Sequence, residues 1–80
     1  MNPLETIQVL LFGSIAEIIG KSQIVLPVFP HTQDLLNYLL KEYPQLQTVG
    51  FVLSVNRKIV NESPIKSNDE IALLPPFSGG

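Results

Sequence analysis

The chain is short, weakly acidic and free of cysteine, and these properties exclude several classes of function. It has 80 residues, a net charge of −2, 45% hydrophobic residues and 15% charged residues. Without cysteine it has no disulfide framework, no thiolate nucleophile and no cysteine-based metal site. Because Lys and Arg do not cluster anywhere in the sequence, we expect no nucleic-acid partner and no membrane partner.

Length and hydropathy indicate one domain. A chain of this size holds a single hydrophobic core. Residues 1–5 lack the basic region and apolar core of a signal peptide, and no apolar run approaches the ~20 residues needed to cross a bilayer. We therefore expect a cytoplasmic protein. The charged fraction is low beside the usual ~25%, which indicates either that a partner covers part of the surface or that this is an ordinary small domain with a polar rather than charged surface.

Residues 6–12 predict the first strand, because they are rich in large and β-branched apolar side chains that alternate. The alternation gives one face with Ile7, Val9 and Leu11 and an opposite face with Leu10 and Phe12. The first face is expected in the core, and the second lies under a helix or in an exposed apolar patch.

A short helix is predicted after Gly13, which ends the strand. Ser14 and Glu17 fit a capping box, in which each side chain bonds to the backbone amide of the other residue. Ile15, Ile18 and Ile19 supply an apolar face. Gly20 is expected to end this helix in the left-handed conformation.

Residues 22–28 predict the second strand, with Pro27 at an edge or a bulge, and one long helix follows it. Thr32 is the expected N-cap, and Pro44 ends the helix. The apolar stripe at helical spacing consists of Leu35, Leu36, Leu39, Leu40 and Tyr43. His31 is the only histidine, and since catalysis needs positioned partners, we expect it to be exposed or to cap the helix.

Residues 51–55, 58–60 and 71–74 predict the remaining strands, with a turn at Asn56–Arg57. A single long helix across one mixed sheet of about five strands buries all of these apolar stripes. The predicted fold is therefore α+β, of the β-grasp (ubiquitin-like) architecture. In that architecture the last strand lies inside the sheet.

The end of the sequence carries the clearest functional signal. Pro75 and Pro76 follow the last strand, and neither can donate a hydrogen bond to a sheet ladder. The residues after them are Phe77, Ser78, Gly79 and Gly80. Two glycines leave a terminal carboxylate unhindered, which suits a narrow site on another protein. We divide the chain into a domain, residues 1–76, and a functional tail, residues 77–80; an inert end is the alternative.

Three segments together resemble a known family. Residues 12–20 look like a Phe-Gly-x-x-(Arg/Ala)-Glu-x-x-Gly segment, Val55–Asn56 resembles a Val-Asn turn, and residues 69–80 are similar to an ending that runs from Asp-Glu through Pro-Pro to Gly-Gly. The family is that of the small subunit of molybdopterin synthase, the MoaD family of ubiquitin-like sulfur carriers. Asn68 stands where the family usually has glycine, and Asn tolerates the left-handed conformation best among the other residues.

This resemblance implies a chemistry for Gly80. An E1-like adenylating enzyme (MoeB-like) would use ATP to form a Gly80 acyl-adenylate, and a sulfur donor would displace AMP to leave a thiocarboxylate. Inserted into the large synthase subunit (MoaE-like), the thiocarboxylate would donate sulfur to cyclic pyranopterin monophosphate to form the dithiolene of molybdopterin. The chain would not be catalytic alone, and it would hold no permanent cofactor and no metal.

The resemblance also suggests which residues meet the large subunit. The segment expected in the partner's channel consists of Pro75, Pro76, Phe77, Ser78 and Gly79. Phe77 is the expected apolar contact at the mouth of the channel, with packing onto its own domain as the alternative, and Gly79 and Gly80 pass through the channel. Leu74, Phe12 and Leu10 are candidate interface residues.

Three alternatives stay open on the sequence alone. The chain could carry sulfur for thiazole synthesis or another thiolation pathway, although the Pro-Pro-Phe-Ser stretch favours the molybdopterin branch. It could be a ubiquitin-like modifier that is conjugated to lysines. It could also be an interaction domain with an inert tail.

Overall fold

The computed structural model describes residues 5–76, which form one mixed five-stranded sheet and three helices. The strands are β1 (Thr6–Leu11), β2 (Gln23–Pro27), β3 (Val52–Val55), β4 (Lys58–Val60) and β5 (Glu70–Leu74). The helices are α1 (Gly13–Ile19), α2 (Thr32–Glu42) and α3 (Leu46–Val49). The order across the sheet is β2-β1-β5-β3-β4, with β1 parallel to β5 and the other pairs antiparallel. The predicted α+β, β-grasp arrangement is confirmed.

The core lies between one face of the sheet and the helices. The predicted inward residues of β1 are buried, and α1, α2 and α3 each add apolar side chains to the same cluster. Its members with no more than 1% exposure are Ile7, Val9, Ile15, Leu35, Leu39, Leu46, Ile71 and Leu73. Burying one such side chain contributes about 1.5–3 kcal/mol, so this cluster is the main source of stability.

Strand β5 occupies the middle of the sheet. Its parallel partner is β1, with Leu11 opposite Leu73, and its antiparallel partner is β3, with Val52 opposite Leu74. Hydrogen bonds on both sides therefore hold β5 along its length, as the sequence predicts for a buried last strand.

The predicted capping box at α1 is wrong. The helix begins at Gly13, its N-cap is Phe12 in an extended conformation, and no side chain caps it. The backbone carbonyl of Phe12 accepts from the amides of Ile15 and Ala16, at 3.2 and 3.4 Å. Ser14 thus lies inside the first turn, where its hydroxyl is no longer at the N-cap position. Gly20 ends the helix at φ +84° as predicted.

The cap of α2 is His31 and not Thr32. The Nδ1 atom of His31 accepts a hydrogen bond from the Gln33 amide at 3.3 Å, which confirms the capping interpretation of this histidine. Thr32 is fully buried instead. Its Oγ1 atom accepts from the Ser63 amide at 3.0 Å and its own amide donates to the Ser63 carbonyl at 2.9 Å. Pairing with this loop leaves the Thr32 hydroxyl unable to cap the helix.

Three positive backbone angles shape the turns around β5. Asn56 and Arg57 have φ values of +51° and +72°, as the two central residues of a type I′ hairpin turn do. Asn68 has φ +73°, so it adopts the left-handed conformation expected for it. Within residues 5–76, none of the helices is long and apolar enough to span a bilayer.

Candidate functional site

The C-terminal end of β5, where Pro75 and Pro76 leave the sheet, is the candidate site and is called the exit below. Beside it the Phe12 amide donates to the Leu73 carbonyl at 3.2 Å, which extends the β1–β5 pairing by one residue. Pro75 and Pro76 have no amide hydrogen to continue the ladder, and both are exposed. The chain therefore leaves the middle of the sheet next to the connection between β1 and α1.

Two glycines lie against the prolines of the exit. A Cβ atom built on Gly13 would lie 2.6 Å from Cγ of Pro75, and one built on Gly50 would lie 3.9 Å from Cγ of Pro76. Both glycines have positive φ, +58° and +69°. The rings of Pro75 and Pro76 therefore lie against the backbone of Gly13, at the start of α1, and of Gly50, just after α3.

The sheet face turned away from the core carries an apolar patch at the exit, formed by Leu10, Phe12, Val52 and Leu74. Leu10 pairs with Ala72 in the parallel register, and Val52 pairs with Leu74 in the antiparallel one. Phe12 continues the alternation of β1 in extended backbone and is 44% exposed. The structure brings the three candidate interface residues, Leu10, Phe12 and Leu74, to this one face.

Val52 belongs to the same patch, and the sequence interpretation missed it. The signal was present in the alternation of β3, because Leu53 and Val55 are buried in the core. Val52 must then point to the opposite face, beside Leu74. The patch therefore spans three strands, β1, β5 and β3.

The exit has no charged group of its own. Residues 10–16, 48–54 and 71–76, which surround it, contain no Asp, Glu, His, Lys, Arg, Cys or Tyr. These segments offer neither a general base nor a ligand for a metal ion. They give the exit, where Pro75 and Pro76 leave the sheet, an apolar and uncharged surround.

Polar contacts concentrate at the opposite end of β5. The Asp69 carboxylate accepts from the Lys66 amide at 2.8 Å and from the Asn56 side-chain amide at 3.1 Å. The Asn56 side-chain oxygen accepts in turn from the Glu70 amide at 2.9 Å. The hydrogen bond from the Lys66 backbone, followed by that from Asn56, lowers the pKa of Asp69 below its usual value of 3.8. This network joins the β3–β4 turn to the start of β5.

An open cavity of about 390 Å³ lies at this polar end and away from the exit. Its lining residues are Thr6, Ile7, Gln8, Val25, Asn68, Asp69 and Glu70. Both carboxylate oxygens of Asp69 are already used inside the chain, and we assign no ligand to this cavity.

The other predicted site residues, Phe77, Ser78, Gly79 and Gly80, lie outside the residues that the structure describes. The roles assigned to them, and the boundary between the domain and the tail, stay predictions.

Comparison with known proteins gives the family. Residues 9–80 match the ThiS family. The molybdopterin synthase sulfur carrier subunit of Dictyostelium discoideum is 40% identical over 91% of this chain and 94% of its own length. The subunit of the same name from Arabidopsis thaliana is 37% identical over 92% of this chain and 82% of its own length.

Solved structures share the fold. The solution structure of small archaeal modifier protein 1 from Methanosarcina acetivorans has a TM-score of 0.78 and 27% identity, covering 94% of this chain and 96% of that one. A complex of subunits 1 and 2 of the molybdopterin-converting factor from Helicobacter pylori contains a chain with a TM-score of 0.68 and 24% identity, covering 94% of this chain and 99% of that one. The match to residues 9–80 and the identity to two sulfur carrier subunits show that the chain belongs to the ThiS family.

Proposed function

We propose that this chain is the sulfur carrier subunit of a molybdopterin synthase. The observation that carries the proposal is the ending, residues 69–80, which the family match includes and whose first part forms β5 in the middle of the sheet. The relatives from Dictyostelium discoideum and Arabidopsis thaliana bear that name. An exit without acid, base or metal ligand suits a subunit that delivers a reacting group to a partner.

The first stage of the proposed reaction activates Gly80. A carboxylate is a poor electrophile, because its charge repels nucleophiles and oxide is a poor leaving group. An E1-like enzyme transfers AMP from ATP to the Gly80 carboxylate and releases pyrophosphate, which makes AMP the leaving group. A sulfur donor then attacks the acyl carbon and displaces AMP, and the product is a thiocarboxylate on Gly80. ATP is used by the activating enzyme and is not a resident cofactor of this chain.

The second stage delivers the sulfur. The thiocarboxylate is anionic at neutral pH and keeps a nucleophilic sulfur, which attacks a carbon of the cyclic pyranopterin monophosphate in the large subunit. Water then cleaves the acyl–sulfur bond of the resulting thioester, which leaves the sulfur on the pterin and returns the Gly80 carboxylate. Each chain brings one sulfur, so two loaded chains are used for the two sulfurs of the dithiolene. The chain that resembles this one in Helicobacter pylori occurs in a complex of subunits 1 and 2 of the molybdopterin-converting factor, which supports a large-subunit partner.

The docking surface in this proposal is the apolar patch around the exit. Leu10, Phe12, Val52 and Leu74 lie where the tail leaves the sheet, so a partner that takes up residues 77–80 meets these side chains as well. An uncharged patch favours an apolar surface on the partner, since a buried unpaired charge would oppose binding.

Reconstitution tests the acceptor. The chain carrying a Gly80 thiocarboxylate is mixed with the large subunit of a molybdopterin synthase and cyclic pyranopterin monophosphate, and molybdopterin is measured. We expect up to one molybdopterin for each pair of loaded chains, and none from the chain with an ordinary carboxylate. Sulfur that instead reaches a thiazole synthase, with no molybdopterin formed, would assign the chain to the other branch of sulfur carriers.

A second candidate function is protein modification. Its support is the likeness to small archaeal modifier protein 1, at 27% identity over nearly the whole chain. The two functions share activation at Gly80 and differ in the acceptor, because a modifier forms an amide with a lysine side chain. High-mass adducts that survive thiol treatment in a cell extract, and that disappear with Gly80, would favour the modifier.

A further inference from the structure

The exit of β5 is packed against Gly13 more tightly than any other residue type would allow. A Cβ atom on Gly13 would lie 2.6 Å from Cγ, 3.6 Å from Cδ and 3.9 Å from Cβ of Pro75. Cβ contacts below 3.0 Å essentially do not occur in proteins. The ring of Pro75 therefore keeps its place only while residue 13 has no side chain.

The contact lies at a point where hydrogen bonds no longer guide the chain. The last backbone bond beside β1 joins the Phe12 amide to the Leu73 carbonyl. Pro75 and Pro76 have no amide hydrogen, and their rings hold φ near −65°. What remains to set the direction of the chain beyond Leu74 is the packing of these two rings.

The second ring has a looser neighbour on the other side. A Cβ atom on Gly50 would lie 3.9 Å from Cγ of Pro76, which is ordinary van der Waals contact. Gly50 has φ +69° and ψ +161°, a region that only glycine occupies readily. Gly50 therefore borders the exit on the side of α3, but Gly13 makes the contact that excludes a side chain.

We propose that Gly13 is a positioning residue for the activation and delivery of Gly80, acting through the ring of Pro75. The inference rests on the proposed function, since it assigns Gly13 the task of fixing the direction in which the tail leaves the sheet. A Cβ at residue 13 must displace the Pro75 ring by close to 1 Å to reach normal contact. Such a shift changes the point and the direction from which residues 77–80 leave the domain, and misplacement of a reacting group by about 1 Å can cost about a hundredfold in rate.

The test is Gly13→Ala, with Gly20→Ala as the matched control. Gly20 lies at the other end of α1 and also has positive φ, +84°, but nothing lies within 4 Å of a Cβ built there. Both variants therefore strain the backbone, and only Gly13→Ala meets Pro75. With an E1-like enzyme, ATP and each chain as the varied substrate, we expect Gly13→Ala to lower kcat for adenylation by at least about tenfold, with little change in KM. Gly20→Ala should retain the wild-type kcat.

Removing the ring separates positioning from direct contact with the enzyme. Ala at residue 75 lacks the Cγ and Cδ atoms that a Cβ on residue 13 would meet. In a Pro75→Ala background, Gly13→Ala should therefore cost no more than Gly20→Ala does. If the loss in kcat persists in that background, or if folded Gly13→Ala matches Gly20→Ala with Pro75 present, the proposal is wrong.

A structural readout keeps the inference independent of the enzyme. Cα–Hα residual dipolar couplings of residues 72–76 report the orientation of the exit relative to the sheet. They should change in Gly13→Ala and stay unchanged in Gly20→Ala; unchanged couplings in both would overturn the proposal even if the wild-type chain is not activated. Should Gly13→Ala fail to fold, Pro75→Ala alone is expected to alter the couplings of residues 75 and 76, and unaltered couplings there would contradict the role of the ring. A wild-type chain that the enzyme does not activate would count against the proposed function only.

Discussion

The two ends of β5 are held by different means. At its start, side chains bond to backbone: Asn56 and Asp69 accept from the amides of Glu70 and Lys66 and bond to each other. At its end, no side-chain hydrogen bond is formed by residues 71–76 in the described part of the chain, and Pro75 lies against the backbone of Gly13. Side-chain hydrogen bonds therefore hold the start of β5, and close packing of Pro75 against Gly13 holds its end.

This difference separates stability from function. A network of side-chain hydrogen bonds at the start of β5 contributes to the free energy of unfolding and lies at the opposite end of the strand from the exit. At the exit Phe12, Pro75 and Pro76 are exposed, so truncating the Phe12 side chain should cost little stability. Variants at the two ends should therefore fall into two classes, one that loses stability and one that loses transfer.

The largest effect is expected from Gly79→Val at the functional end. A branched side chain should not pass the narrow channel that the Gly-Gly ending predicts, so sulfur transfer should be abolished while the thermal unfolding midpoint stays at the wild-type value. Transfer is measured as molybdopterin formed with the large subunit. Normal transfer by a folded Gly79→Val chain would refute the narrow-channel argument.

The next effect is expected from Asn56→Ala at the polar end. The variant loses the hydrogen bonds to Asp69 and to the Glu70 amide, and we expect the free energy of unfolding to fall by about 2 kcal/mol. Arg57→Ala is the control in the same turn, because it removes only an exposed 3.5 Å ion pair with Glu70, worth less than about 0.5 kcal/mol. Denaturant titration measures both.

The same pair also tests the separation of the two ends. Folded Asn56→Ala should transfer sulfur at the wild-type rate. Equal losses of stability in Asn56→Ala and Arg57→Ala would contradict the stabilising role of the Asn56 network. A loss of sulfur transfer in folded Asn56→Ala would contradict the separation of stability from transfer between the two ends of β5.

A smaller effect is expected from Phe12→Ala in the patch. Truncating a half-exposed aromatic side chain at an interface should weaken binding to the large subunit by about tenfold, with little loss of stability because the ring is 44% exposed. Ile59→Ala is the control, since Ile59 is 57% exposed on the same face and lies on the edge strand β4. Calorimetry of binding to the large subunit should show a loss of affinity for Phe12→Ala only. Equal losses of affinity in the two variants would contradict a docking patch centred on the exit.

The smallest effect concerns acid stability. The pKa of Asp69 is lowered by the Lys66 amide and the Asn56 side chain, so the unfolded chain takes up this proton more readily than the folded one. The resulting stability is complete well above pH 3.8, the usual pKa of the group, and is lost as the pH falls through the lower pKa of the folded state. In that pH range the free energy of unfolding of Asp69→Asn should fall less steeply with decreasing pH than that of the wild type. An equal pH dependence in the two chains would contradict the lowered pKa of Asp69.

Much of the fold could be predicted from periodicity. The alternation of Ile7, Val9 and Leu11 and the buried pair Leu35 and Leu39 give the sheet face and the long helix. The short helix α3 was missed, because four residues are too few for a periodic signal. The caps were misassigned where a non-local contact competes, as when the distant loop at Ser63 bonds to Thr32.

The candidate site was predictable in part. Leu10 and Phe12 follow from the alternation of β1, whereas Leu74 was named only as a neighbour of Phe77 in the expected interface, and the assignment of the reacting residues stays a prediction. The contact between Gly13 and Pro75 was not predictable, because it joins residues distant in sequence and depends on the register of β1 and β5. The E1-like partner, the use of ATP and the cytoplasmic location stay predictions.

The most direct test of the central claim is the intact mass of this chain after incubation with an E1-like activating enzyme, ATP and a sulfur source. The sulfur carrier account predicts a gain equal to the exchange of one oxygen for one sulfur, which disappears when Gly80 is deleted. An unchanged mass, with an enzyme that activates another carrier in the same assay, would contradict the account and leave a family member that shares the fold without the chemistry.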